Sequence, residues 1–190
     1  MDNRIIKAFE ESAEVKIRFA KENEERIRKA VNLIVSACKN GGKVMLFGNG
    51  GSAGDASHIA GEFVNRFLKD RAPLPAIALN TDMAVLTSIG NDYDFSEVFV
   101  RQIKALGKEG DIAIAISTSG NSNNVLKGVM TAKEMNIKTI GLTGGTGGKL
   151  AGIVDYAFVV PTNKTPRIQE THITLGHILC ELIEEEIFGK

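Results

Sequence analysis

The sequence predicts an α/β fold: a doubly wound five-stranded parallel sheet flanked by helices, with a long N-terminal helix and a C-terminal helix. Three observations carry this prediction. Five short apolar runs recur along the chain, and the first four are each followed by a glycine-rich or polar turn and a helix-like segment. The runs are continuously apolar rather than alternating, which suits strands buried on both faces of a parallel sheet. Both ends of the chain carry apolar residues at helical spacing among many charges.

Taken in order, residues 2–39 place Ile5, Phe9, Val15, Ile17, Phe19, Ile27, Val31 and Ile34 on or near one stripe, which predicts one long or broken amphipathic helix stopped by Gly41 and Gly42. The strand runs are KVMLF from residue 43, PAIAL from 75, DIAIAI from 111, KTIGL from 138 and DYAFVV from 155. After Pro161 and Pro166, RIQETHITLGHILCELIEEEIF predicts a final amphipathic helix of about five or six turns. There is no fixed-period repeat and no low-complexity linker, and 190 residues suit a single domain spanning 1–190.

Lys plus Arg equals Asp plus Glu, 23 against 23, so no global field draws in nucleic acid or an anionic membrane, and neither is an expected partner. An anionic ligand must be held by local groups. Cys38 and Cys180 are far apart, in helical apolar contexts and without the paired spacing of a zinc or redox motif, which fits a reduced, cytoplasmic setting. The start, MDNRIIKAFEES, has no apolar segment of a secretory signal, and no run approaches membrane length. The sequon at Asn163–Thr165 is therefore expected to be unused.

Two strand-to-loop-to-helix units, at 43–68 and 111–136, look functionally parallel. Helix N-termini that follow strands offer unpaired N–H groups and partial positive charge to anions. The first unit's loop, Gly48–Gly54, lacks the Gly-Lys-Ser/Thr ending of a Walker loop, and its third glycine arrives one position late for a dinucleotide fingerprint. The second, STSGNS at 117–122, sets Ser117, Thr118, Ser119 and Ser122 around a glycine just before a helix. A serine-rich cap is the common use of such residues; four hydroxyls at the end of a strand favour phosphate. The absence of a lysine in the loop points to a monophosphate.

Within NGGSAGDASHIAGEF, residues 49–63, His58 and Glu62 stand four apart and share one helix face. The last helix brings Gln169, His172 and His177, and the apolar flanks of LGHILCEL predict a buried His177 where an exposed polar face is otherwise the simple reading. Gln169 and His177 are eight residues apart, about 12 Å on a continuous helix. Either Gln169 precedes the helix proper, or more than one chain completes the site. Arg66, one turn past Glu62, suits either that carboxylate, a neighbour's phosphate or a surface ion pair, and TGGTGGKL at 143–150 reads as a mobile turn whose Lys149 is a poor phosphate ligand. Asn91 and Asp92 read as an ordinary turn.

The motifs GNGGSAGDASHIAGEF, LNTDMAVLTSIGNDYDFSEVF, ISTSGNSNNVL and TPRIQETHITLGHIL, in that order, resemble the phosphoheptose isomerases, a branch of the sugar isomerase (SIS) domain superfamily, from about residue 5 to 188. The resemblance implies a SIS fold and a homotetramer that converts sedoheptulose 7-phosphate to D-glycero-D-manno-heptose 7-phosphate. Carried over by position, it implies Glu62 and His177 as the acid/base pair, and Asn49, Gly50, Gly51, Ser52, Asn91, Asp92, Ser117, Thr118, Ser119, Ser122 and Gln169 as substrate contacts. It further implies His58, Glu62, Gln169 and His177 as ligands of one zinc per subunit. The implied chemistry moves a proton between C1 and C2 through an enediol, which needs a base at carbon and a group that handles charge on oxygen. A tetrameric adaptor that binds the bacterial replication initiator resembles the chain over the same length; such relatives lack the glutamate and histidine present here as Glu62 and His177. The eight-residue spacing and the resemblance together place the expected active site at a subunit interface.

Overall fold

All five apolar runs are strands: β1 (Val44–Gly48), β2 (Ala76–Ala78), β3 (Ile112–Ile116), β4 (Lys138–Gly144) and β5 (Tyr156–Val160). The computed structural model describes residues 3–189; Met1, Asp2 and Lys190, which belong to the expected 1–190 domain, lie outside the described residues. The strands pair in parallel in the order β2-β1-β3-β4-β5. Every residue of β1 and β3 is buried, which is why these runs show no polar alternation.

Among the described residues seven α-helices cover the sheet: α1 (Arg4–Lys39), α2 (Gly51–Val64), α3 (Met83–Asp92), α4 (Val98–Leu106), α5 (Asn123–Glu134), α6 (Gly148–Ile153) and α7 (Thr165–Phe188). Successive strand residues face opposite sides. Val44, Leu46, Ile112, Ile114 and Ile116 join the core under α1, α2 and α7, whereas Met45, Phe47, Ala113 and Ala115 join that under α3, α4, α5 and α6. The two alanines leave room on the second face for the tilted pair Phe47–Phe99, 5.0 Å between ring centroids.

The first helix is continuous for 36 residues, about 54 Å. It ends where Gly41, at φ +77°, turns the chain so that the Gly42 N–H reaches Ala37 O at 2.8 Å. Of the expected stripe, Val15, Phe19, Ile27, Val31 and Ile34 are buried, but Ile5, Phe9 and Ile17 are 73%, 73% and 55% exposed. These three belong to a face that no described residue covers.

Two expectations about α7 are corrected. The helix begins at Thr165 with a proline in its first turn, so Gln169 lies inside it and not before it. The buried stripe runs through Ile168, His172, Leu175, Leu179 and Ile183. His172 is thus the buried histidine, 1% exposed, and His177, turned off that stripe, is only half-buried.

His172 carries a pH-dependent contribution to stability. Its Nε2–H donates to Thr143 O at 3.1 Å, and its Nδ1 is buried with no partner. Burial lowers the imidazole from 6.5 to about 4, against a smaller opposing effect of the Thr143 carbonyl. The unfolded chain then binds a proton that the folded chain refuses. The stabilisation is full above pH 6.5 and is lost as pH falls from there towards 4, about 3 kcal/mol over the whole window. Between pH 7.5 and 5, urea unfolding of wild type should lose about 2 kcal/mol more than that of His172→Gln. Equal losses in both proteins would refute the assignment.

Candidate active site

With strand order 2-1-3-4-5, the connections from β1 and β3 leave to opposite faces of the sheet and open a crevice between them. The loop after β1 leads into α2 and the loop after β3 into α5, so both glycine- and serine-rich motifs meet at this crevice. Neither helix has a side-chain cap: Gly50, at φ +55°, stands at the start of α2, and Ser122 at the start of α5 makes no cap hydrogen bond. The Ser52 and Ala53 N–H groups turn back onto Asn49 O and Gly50 O, both at 3.0 Å, and the Val125 N–H onto Asn124 Oδ1 at 3.0 Å; helix N-termini of this kind attract anions through their remaining N–H groups and the helix dipole.

The four hydroxyls divide by role. Ser117 is buried and its Oγ lies 3.1 Å from Ser122 Oγ. Ser119 is exposed, and its Oγ accepts the Asn121 N–H at 3.2 Å, the turn-forming use of a serine. Thr118 is half-buried. Ser52 sits under the first loop, 3% exposed and packed against Gly48. The two loops are joined by a reciprocal amide pair: Asn49 Nδ2 donates to Asn124 Oδ1 and Asn124 Nδ2 to Asn49 Oδ1, both at 2.8 Å. Asn124 was not singled out by sequence, where it reads as one more polar residue at a helix start. A cleft at this junction is lined by Asn49, Asp94, Phe95, Ser96, Ser122 and Asn124.

The segment read as a mobile turn is a buttress. The Leu150 N–H donates to Gly120 O at 2.9 Å and the Lys149 N–H to Asn121 Oδ1 at 3.2 Å, so the start of α6 holds the hydroxyl loop from behind. Asn91 and Asp92 are not a turn but the last residues of α3, bonded to each other at 2.8 Å. Asp92 lines a separate cleft of about 600 Å³ with Tyr93 and Arg101, away from the hydroxyl loop. Arg66 is exposed, beyond the end of α2, with no ion pair among the described residues.

A second constellation forms where α2 meets α7. Gly176 lets the helices approach, since a Cβ there would stand 2.5 Å from Ile59 Cδ1. His58 Nε2 lies 3.0 Å from Glu62 Oε1 and 3.2 Å from His177 Nε2, and the Phe67 ring stands 5.6 Å from that of His177. One ligand atom from each of His58, Glu62 and His177 falls within 4.8 Å of the others. Two imidazoles and a carboxylate suit zinc, whose bonds of about 2.0–2.1 Å at tetrahedral angles separate ligand atoms by about 3.3 Å. The donor set and its spacing therefore fit a metal ion. Cys180, one turn further along α7, does not join it: burial, then the negative charge of Glu62, pushes its thiol up to about 12. Gln169 is also elsewhere in this chain, with its Nε2 against Gly51.

Comparison with known proteins agrees with this architecture. The SIS domain family model matches residues 8–144. The phosphoheptose isomerase of Thermodesulfovibrio yellowstonii is 59% identical over 188 residues, covering 99% of this chain and 94% of that protein. That of Aquifex aeolicus is 54% identical, covering 98% of each. The solved structure of phosphoheptose isomerase GmhA from Neisseria gonorrhoeae superposes with a TM-score of 0.91 at 42% identity, over 96% of this chain and 98% of that one. The chain belongs to the SIS domain family and, within it, to the phosphoheptose isomerases, and it is a sugar-phosphate isomerase.

Proposed function

We propose that this chain, as a single SIS domain, interconverts sedoheptulose 7-phosphate and D-glycero-D-manno-heptose 7-phosphate in the cytoplasm, the first step towards the activated ADP- or GDP-heptose of bacterial surface polysaccharide. The observation that carries the reading is the convergence of His58, Glu62 and His177 where α2 meets α7, in a chain whose α2 and α5 begin without side-chain caps. The seven-carbon substrate follows the names of the relatives. Ser117, Thr118, Ser122 and the start of α5 hold the phosphate; Asn49, Gly50 and Gly51 hold the sugar chain. Glu62 takes the proton from carbon, and His177 manages the proton on the neighbouring oxygen. One zinc per subunit, held by His58, Glu62, His177 and Gln169, would polarise the carbonyl as a Lewis acid. Glu62 has two carboxylate oxygens, so one can serve as base while the other faces His58.

Two spacings support sites shared between subunits of a homotetramer. Glu62 lies eleven residues after Gly51 on α2, about 16 Å along the axis, and Gln169 lies about 12 Å from His177 along α7. One extended sugar phosphate does not span the first gap, nor one ion the second. The uncovered Ile5, Ile6, Phe9 and Ile17 of α1 give the chain an apolar face for self-association. Glu62 and His177 sit together in one chain, so mixing variants of those two cannot test the sharing. Mixing His177→Ala with Ser119→Glu can, because the second places a carboxylate at the phosphate loop. Refolded hybrids of the two inactive proteins should regain about a quarter of wild-type activity if neighbouring chains supply cluster and loop. Hybrids as inactive as their parents would refute it.

The direct test is turnover of sedoheptulose 7-phosphate by purified protein with and without zinc. Absence of turnover in the metal-loaded protein would sink the heptose assignment and send the search to hexulose phosphates, then to the adaptor role.

A further inference from the structure

Arg71 and Glu184 form the most completely buried ion pair among the described residues, with 3% and 2% of their side chains exposed. A buried pair adds little net stability, because desolvation of both ions offsets their attraction, and apolar residues of similar volume commonly replace it without loss. Its partners indicate a different use. Arg71 Nη2 donates to Glu62 O at 2.9 Å and Nη1 to Phe63 O at 2.8 Å, carbonyls in the last turn of α2 that lack helical partners. Its Nε donates to Glu184 Oε2 at 2.9 Å. The same carboxylate accepts the N–H groups of Phe67, Leu68 and Lys69 at 3.1, 3.0 and 2.8 Å.

Glu184 is two turns after His177 on α7, and Phe67, which it anchors, packs its ring near His177. The guanidinium thus grips α2 at the backbone of Glu62, while the carboxylate ties that grip to the helix bearing His177. Burial alone would raise the Glu184 carboxyl, but the Phe67 N–H, the Arg71 guanidinium and the N–H groups of Leu68 and Lys69 hold it below the usual carboxylate range.

We infer that Arg71 and Glu184 are positioning residues for the isomerase site, a clamp that sets the separation of α2, with His58 and Glu62, from α7, with His177. This rests on reading that cluster as the reaction centre.

The test compares wild type, Arg71→Lys and the double variant Arg71→Met/Glu184→Met, each checked by urea unfolding. Cobalt(II) is titrated into the metal-free proteins and followed by its visible d–d bands, and kcat and KM are measured with sedoheptulose 7-phosphate. The double variant should stay folded yet bind cobalt about 10- to 100-fold more weakly. Its kcat should fall by about 10- to 100-fold with KM within about twofold, because the phosphate loop lies on other elements. Arg71→Lys keeps the charge but not the fork that spans three carbonyls, of Glu62, Phe63 and Ala72, and a carboxylate, and should lose at least about fivefold in cobalt affinity.

Wild-type cobalt bands and kcat in a folded double variant would overturn the clamp as a positioning device. Should the double variant fail to fold, unchanged cobalt affinity and kcat in Arg71→Lys would overturn it equally. Cobalt binding needs no sugar, so the two readings separate. A wild type that binds cobalt but does not turn over sedoheptulose 7-phosphate removes the heptose reading, while the bands still judge the clamp. A wild type with no d–d bands overturns the clamp.

Discussion

Exchanging Glu62 for glutamine is expected to lower kcat by about 10³-fold while KM stays within about twofold. The substitution keeps the shape of a half-buried side chain, 27% exposed, and removes its negative charge together with its ability to take a proton. The expected effect is large because Glu62 is the carboxylate of the proposed cluster, where His58 and His177 already face each other at 3.2 Å and the Cys180 thiol is held neutral. Metal content measured on the same samples separates loss of the base from loss of an ion. Exchange of the substrate's C1 or C2 hydrogen with D₂O is the sharper readout, since it reports proton removal without requiring product release. Exchange in Glu62→Gln within tenfold of wild type would transfer the role of base to another group.

Replacing Gly120 by alanine should destabilise the protein by about 3–4 kcal/mol, combining about 1–2 for a left-handed non-glycine residue with about 1–3 for overpacking. Gly120 has φ +65°, and a Cβ there would stand 2.1 Å from Gly147 O and 2.8 Å from Thr143 Oγ1. Backbone cannot yield as a side-chain tip can, so either the hydroxyl loop or the start of α6 must move. Urea unfolding measures the loss, and the surviving folded protein should show a raised KM from a displaced Ser117–Ser122 loop. Gly152→Ala is the control: nothing lies within 4 Å of its added Cβ, and it should gain about 0.4–1 kcal/mol. A Gly120→Ala protein as stable as wild type would mean that the loop accommodates a side chain and that its buttress is not rigid.

These cases show which parts of the molecule the chain declares locally. The strands were legible because burial on both faces leaves a continuous apolar run, and His58 and Glu62 were legible because their spacing alone puts them on one helix face. What escaped was tertiary in origin. His172 and His177 occupy one helix, and only the docking of α7 decides which is buried; apolar neighbours in sequence pointed to the wrong one. Asn124 carries no signal until β1 and β3 become neighbours and bring Asn49 opposite it. Arg71 and Glu184 are 113 residues apart and resemble any surface charges. Ile5, Phe9 and Ile17 fit the helical period but not the buried stripe, since periodicity records apolar faces without saying what covers them.

The packing of α1 against α7, and of α7 against α2, has a consequence for how the molecule matures. Because α7 follows every strand in the chain, a ribosome must finish the whole sheet before His177 can reach His58 and Glu62. The loops after β1 and β3, proposed to hold the phosphate, need no residue of α7 to take shape, apart from the Gln169 amide that rests on Gly51. A nascent chain can therefore possess the proposed phosphate crevice before it possesses the proposed reaction centre. Packing of α7 on α1 and α2 completes the core and the His58–Glu62–His177 cluster in one step, so on the proposed reading activity serves as its own report of correct folding.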